Sequence, residues 1–250
     1  MKTVVCIKYV STTTEFVEFL ADDSDVDPAF LERDINEADY SALEEALRLR
    51  DDDGGEVVVV AAGGDNDEEG LRKALGMGAD RAVRVAVSGS AIHDPISVAR
   101  ALAVAIRGEN PDLVICGVQS ADFGYQSTGP AIASATGMPF VAAVTSLERN
   151  AAGFRLHRDL EAGNSEVVDV DGSMVISVQA GINDPRFGSF KDMKRAKKVD
   201  IPVVDPGDLG TTRVTVRRMF LATSAHSVQM IEGGADQVAA RIMQIVKEEN

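Results

Sequence analysis

The residues best suited to chemistry lie between positions 117 and 130. There Gly117, Gln119, Ser120, Asp122, Gly124, Tyr125, Gln126, Ser127 and Thr128 precede Gly129 and Pro130. The apolar run Leu113, Val114, Ile115 and Cys116 enters this stretch and reads as a buried strand, and residues 131–136 leave it and read as a helix. A strand, a loop of small and hydroxyl-bearing residues and a helix start together make a phosphate-binding corner in an α/β sheet. The N–H groups of a first helical turn lack internal partners, and the helix dipole adds partial positive charge there. Ser127 and Thr128 add hydroxyl donors. No Lys or Arg stands in the loop, so a phosphate is expected to rest on backbone and hydroxyls. The same residues also suit an ordinary strand-to-helix turn, and the loop alone leaves both readings open.

Other chemistry is not signalled. Cys6 and Cys116 both sit in apolar, strand-like runs, which predicts buried structural thiols in preference to a disulfide. His93, His157 and His226 have no metal-ligand spacing. The sequence contains no G-x-S-x-G, no Walker A lysine motif and no G-x-G-x-x-G after its first strand. No catalytic residue and no metal site is therefore expected.

The elements that must position the loop alternate. Strands are expected at residues 3–7, 57–61, 82–87 and 113–116, and helices at 36–50, 67–77 and 95–106. Asp94 reads as the N-cap of the third helix, with Pro95 in its first turn. Such alternation predicts a doubly wound, mostly parallel, Rossmann-like α/β sheet covered by helices on both faces. Its ligands bind at the carboxyl ends of the strands, here Lys8 and Tyr9, Ala62 to Gly64, and the loop from Gly117 to Thr128. After Pro139 the pattern changes to short strands at 141–147, 153–158, 166–171 and 174–179, which read as hairpins added to the sheet. Residues 1–182 are expected to form this nucleotide-binding domain. Residues 183–250 are expected to form a partner-binding loop and an extended C-terminal arm, ending in an amphipathic helix at 235–246.

With 250 residues the chain is long enough to bury a real core. No run of 18 apolar residues occurs, so no membrane span is expected. The apolar start is too short for a signal peptide, and a cytoplasmic location is expected. The net charge of −15 argues against nonspecific nucleic-acid binding. Abundant Asp beside only eight Lys suits a chain that stays soluble in high salt, where screening removes self-repulsion.

Several stretches taken together resemble the β subunit of electron transfer flavoproteins over residues 1–210. They are the opening strand from Val4 through Lys8 to Val10, the helix that runs from Asn36 and Asp39 through Glu44 and Glu45 to Leu49, and the turn from Ala74 to Arg81. The loop from Gly117 to Pro130, the segment Asn183, Asp184, Pro185, Arg186 and Phe187 followed by Met193 to Lys198, and Pro206 to Gly210 complete the match. The resemblance implies a heterodimer whose α subunit carries most contacts to a redox-active FAD, while this subunit buries a structural AMP. By position, the AMP contacts would come from Cys6, Asn36, Glu37, Ala38, Asp39, Ala62 and residues Gly117, Gln119, Ser120, Asp122, Gly124, Tyr125, Gln126, Ser127 and Thr128. The resemblance also implies docking onto acyl-CoA dehydrogenases through the loop that ends in the lysine run. Phe190 stands in the place of the apolar anchor, flanked by Lys191 and Lys194. Electrons would pass on to a quinone oxidoreductase of the respiratory chain.

The chain departs from the family pattern at Phe123, Gly124 and Tyr125 in the nucleotide loop, at Ala62, where some relatives carry a thiol, and at Thr12 to Glu15. Tyr125 stacks beside an adenine or simply fills space. Electron-bifurcating relatives bind a second FAD in place of AMP, but their loop shares only Asp122, Gly129 and Pro130 with this one. A stand-alone nucleotide-binding stress-type protein is the reading from another class. The arm after residue 183 argues against it.

Overall fold

The computed structural model describes residues 1–13, 17–150, 153–221 and 230–248, which leaves His226 and parts of the turns at 12–15 and 150–153 outside the described residues. The elements run β1 (Lys2–Cys6), β2 (Tyr9–Thr13), β3 (Leu31–Ile35), α1 (Glu37–Asp53), β4 (Glu56–Gly63), α2 (Glu68–Met77), β5 (Arg81–Ala86), α3 (Pro95–Glu109), β6 (Leu113–Gly117) and α4 (Thr128–Thr136). Then follow β7 (Phe140–Asn150), β8 (Gly153–Asp159), β9 (Ser165–Val170), β10 (Met174–Val178), α5 (Phe190–Ala196), β11 (Val203–Val204) and α6 (Ala235–Glu248).

One nine-stranded sheet has the order β11-β5-β4-β1-β6-β10-β7-β8-β9. Its strands from β11 to β7 pair parallel, and β7, β8 and β9 pair antiparallel. This is the doubly wound α/β fold that the alternation predicts, and β7, β8 and β9 are the added antiparallel hairpins. The strand expected at 174–179 is not one of them, because β10 lies inside the parallel sheet between β6 and β7 and pairs parallel with both. β4 lies on one side of β1 and β6 on the other, so the winding reverses beside β1. Such a reversal opens a crevice at the carboxyl ends of the strands.

The central strands read as unbroken apolar runs because both faces are buried. Val57 and Val59 point into one layer with Leu43 and Leu47 of α1 and Leu71 of α2. Val58 and Val60 point into the other with Leu102 and Ile106 of α3 and Ile132 of α4. The period of two divides one strand between two cores. Asp94 does cap α3: its carboxylate accepts the Ile96 N–H at 3.0 Å, with Pro95 at the start.

Three features lie outside the sequence reading. β2 and β3 form a separate antiparallel pair between β1 and α1. α4 begins at Thr128, three residues before its apolar stretch, which brings Thr128 into the first turn. The region after residue 182 contributes α5 and β11, and β11 extends the sheet by pairing with β5. A seven-residue helix and a two-residue strand are too short to leave a readable period.

Two compact units result, Met1–Arg218 and Met219–Asn250. The second holds α6, with Asp236 in its first turn and Lys247 in its last, charges that suit the helix dipole.

Leu43 is fully buried between α1 and the sheet. Leu43→Ala should lower the unfolding free energy by about 2–5 kcal/mol, because it removes transfer energy and leaves a cavity. Urea titration with unchanged secondary structure before the transition checks this.

Candidate functional site

The crevice beside β1 is a cleft floored by the ends of β1, β4 and β6. Cys6, Ile7 and Lys8 line it from the β1 end, Ala62 from β4, and Cys116 and Gly117 from β6. Asn36 and Asp39 line it from the start of α1. The far wall is apolar, with Ile92, Pro95, Val98 and Leu102 on and before α3. The loop between β6 and α4 closes the remaining side through Val118, Gln119, Ser120, Phe123, Tyr125, Gln126, Ser127 and Thr128.

Asp39 holds the floor together. Its carboxylate is buried and accepts the backbone N–H of Lys8 at 2.8 Å and that of Gly117 at 2.8 Å. One side chain thereby satisfies two strand-end donors that have no ladder partner at that point. Burial raises the Asp39 pKa from 3.8 to about 7, against the opposing pull of these two N–H donors, of Asn36 and of the Lys8 charge. A Cβ on residue 117 would collide with the Asp39 carboxylate and with the Ala38 side chain, so only glycine allows this approach.

Asn36 fixes the next part of the loop. Its amide donates to the Gln119 carbonyl at 2.8 Å, and its Oδ1 accepts the Ala121 N–H at 3.0 Å. Gln126 donates to the Gln119 side chain at 2.7 Å. At the end of the loop the hydroxyls of Ser127 and Thr128 stand at the start of α4. Pro130 lacks an N–H, so the amides of Thr128 and Gly129 are the donors that this turn presents.

The loop itself carries no Lys or Arg, but a cation from the end of β1 stands against it. Lys8 Nζ lies 2.7 and 2.6 Å from the two Asp122 carboxylate oxygens and 4.7 Å from the centre of the Phe123 ring. Burial works to raise the Asp122 pKa, but hydrogen bonds and the Lys8 charge outweigh it and bring the group below its ordinary value. Phe123 meets His93 edge-to-face at 5.4 Å and stacks with Tyr125 at 5.6 Å. His93 Nδ1 is buried in this wall with no hydrogen-bond partner among the described residues.

The structure brings Cys6, Asn36, Asp39, Ala62, Gly117, Gln119, Ser120, Tyr125, Gln126, Ser127 and Thr128 to one cleft. Glu37, Ala38, Asp122 and Gly124 are not among the lining residues. Glu37 is exposed on the first turn of α1, Ala38 packs beneath Gly117, and Asp122 holds Lys8. Phe190, Lys191 and Lys194 lie on α5, exposed. Sequence reasoning missed Lys8 as a partner of the loop and missed the α3 wall. The wall had a signal: helices of a parallel sheet begin at the carboxyl edge, so the start of α3 had to stand beside the crevice.

The two thiols of the cleft are held in their neutral form. Cys6 is a buried free thiol whose pKa is pushed up to about 12 by burial and by Asp39. Cys116, its register neighbour on β6, is pushed well above its ordinary value for the same reasons. Both therefore stay protonated and are poor nucleophiles.

Residues 29–209 match the family model described as the electron transfer flavoprotein domain. The chain is 38% identical to the electron transfer flavoprotein subunit beta of Methylophilus methylotrophus over 99% of this chain and 98% of that protein. It is 33% identical to the subunit beta of Bradyrhizobium diazoefficiens, with 90% and 89% covered. Against the subunit beta of Sus scrofa the identity is 29%, with 79% and 75% covered.

The Asp39 carboxyl has a pKa near 7 in the fold against 3.8 as its ordinary value, so the folded state binds its proton more tightly. The stability from this group is full below about pH 4 and is lost as pH rises through about 7. The wild type should therefore lose stability relative to Asp39→Asn across that interval. Urea midpoints of both proteins at several pH values test this, and parallel curves would refute it.

Proposed function

This chain belongs to the electron transfer flavoprotein β-subunit family, and we propose that it pairs with an α subunit to form an FAD-containing carrier. The carrier takes electrons from acyl-CoA or other dehydrogenases and passes them to a quinone oxidoreductase. FAD, held mainly by the α subunit, supplies the one- and two-electron redox chemistry. The β chain contributes binding and shape and acts as a carrier subunit, not an enzyme. In this reading it works in the cytoplasm, and its acidic surface suits high salt.

The cleft would hold AMP as a structural ligand. The observation that supports this best is the meeting of a hydroxyl-rich helix start, Ser127 and Thr128 on α4, with an apolar wall of Ile92, Val98 and Leu102. The first suits a phosphate and the second a base. Cys6, Asn36, Asp39, Ala62 and Gly117 would frame the nucleotide, with Gln119, Ser120, Tyr125 and Gln126 from the loop. His93 Nδ1, buried in the cleft wall without a partner among the described residues, would suit a polar group of the nucleotide. Glu37, Ala38, Asp122 and Gly124 would act through the floor and loop conformation. Asp39 and Asn36 hold the loop in place whether or not nucleotide is bound, which limits the ordering cost of binding.

Docking to a dehydrogenase would use α5. Phe190 is 87% exposed, with Lys191 and Lys194 beside it. The C-terminal helix α6, with Ile242 and Met243 exposed, would pack on the α subunit.

Denaturing the purified heterodimer should release one FAD and one AMP. Two FAD and no AMP would identify the electron-bifurcating form instead. Thr128→Val should reduce AMP retention by about 1–3 kcal/mol, the usual loss of a buried polar partner, with FAD retained. Full AMP content in that variant would remove the α4 start from the site.

A further inference from the structure

We propose that Phe187 is a second docking anchor, presented rigidly beside Phe190 by Arg186 and by a glycine-to-glycine seat on α2. The inference rests on the docking reading of α5 and extends it. Its occupant is a partner protein with an apolar groove edged by carboxylates.

Phe187 is 98% exposed, more than any other large apolar side chain among the described residues. Isolated exposed apolar residues are common, and exposure alone means little. The backbone on each side of this ring is fixed, however. Immediately before it, the Arg186 N–H donates to Glu44 on α1 at 3.0 Å. The Arg186 guanidinium grips both oxygens of the same carboxylate, at 2.8 and 3.0 Å, and reaches Asp51 at 2.7 Å. Glu44 is buried, so this fork is its compensation and is not an exposed, weak pair.

Immediately after the ring, Gly188 lies so close to the Gly76 carbonyl of α2 that a Cβ on residue 188 would collide with it. A Cβ on residue 76 would strike the Met193 side chain of α5. The chain is thus pinned one residue before Phe187, one residue after it, and again within α5. Ser189 caps α5 by accepting the Asp192 N–H at 3.1 Å.

A floppy loop would lose backbone entropy on docking, whereas a pinned backbone leaves only the ordering of the two rings to be offset. Exposed rings on a preordered segment are the usual material of binding hot spots. The surrounding charge selects the partner. Residues 191–198 carry five cations and a single acid, Asp192, in a chain of net charge −15. A strongly acidic protein that concentrates its cations beside two exposed rings is complementary to a groove rimmed by Asp and Glu.

The test uses the heterodimer and an acyl-CoA dehydrogenase that reduces it. Flavin reduction is followed as dehydrogenase concentration is varied. Phe187→Ala should raise the half-saturating concentration about tenfold, with the maximal rate unchanged, a loss typical of a hot-spot ring. The flavin spectrum, dithionite reduction and copurification of the α subunit should not change. Phe187→Tyr should restore most of the affinity. Arg186→Gln should raise the half-saturating concentration too, although both rings remain, which a ring-only role would not produce. If Phe190→Ala is impaired and Phe187→Ala is not, the second anchor is refuted and the docking reading stands. If both behave as wild type, the docking reading itself fails. If Phe187→Ala loses flavin or the α subunit, the ring belongs to the subunit interface and the inference is overturned. Wild-type half-saturation in Arg186→Gln would refute the positioning role.

Discussion

The cleft depends on one buried carboxylate. Asp39 stands on the first turn of α1 and accepts N–H groups from the ends of two neighbouring parallel strands, β1 and β6. At those ends the chain is still partly buried, so the donors need a partner from elsewhere. Asp39 supplies it and so sets how closely α1 approaches the sheet. The absence of a side chain at Gly117 follows from the same contact. Asn36, three residues earlier, then reads the loop backbone as a strand would, with one donor and one acceptor. The loop of small and hydroxyl-bearing residues is held from helix α1 at its start and by its own Gln126–Gln119 bond farther along.

α1 serves the other end of the molecule as well. Farther along it, Ser41, Glu44, Glu45 and Asp51 hold the segment that precedes α5. Asn183 donates to the Ser41 carbonyl and to Glu45, and Arg186 spans Glu44 and Asp51. Glu44 and Glu45 are both buried, and buried carboxylates demand partners with good geometry. The demand is met by residues about 140 positions away in the chain. One helix therefore carries the polar groups of the cleft on its first turn and the supports of the segment that bears Phe187 and Phe190 on its later turns.

The charges divide between these roles. Lys8, Asp122 and Phe123 form a compact group at the cleft rim, in which the ammonium lies close to a carboxylate and over a ring. α5 instead leaves its cations to solvent, and Lys191 and Lys194 are exposed. A chain with only eight lysines thus sets one at the rim of the cleft and leaves those of α5 in solvent.

The sequence by itself determined the sheet and its direction. The unbroken apolar run from Val57 to Ala61, which marks a strand buried on both faces, and the 3.6-residue stripe through Leu43 and Leu47 are local properties. The loop from Gly117 to Thr128 was also legible, because a small-residue stretch between strand and helix has a local signature. Family resemblance pointed to Asn36 and Asp39 as contacts, but only the fold showed that their side chains are spent on the protein's own backbone. Tertiary structure alone decided that Lys8 reaches Asp122, that Ile92 and Leu102 wall the cleft, and that Arg186 closes on Glu44. These pairs are joined by strand order and helix packing, and no local period records which distant residues those will bring together.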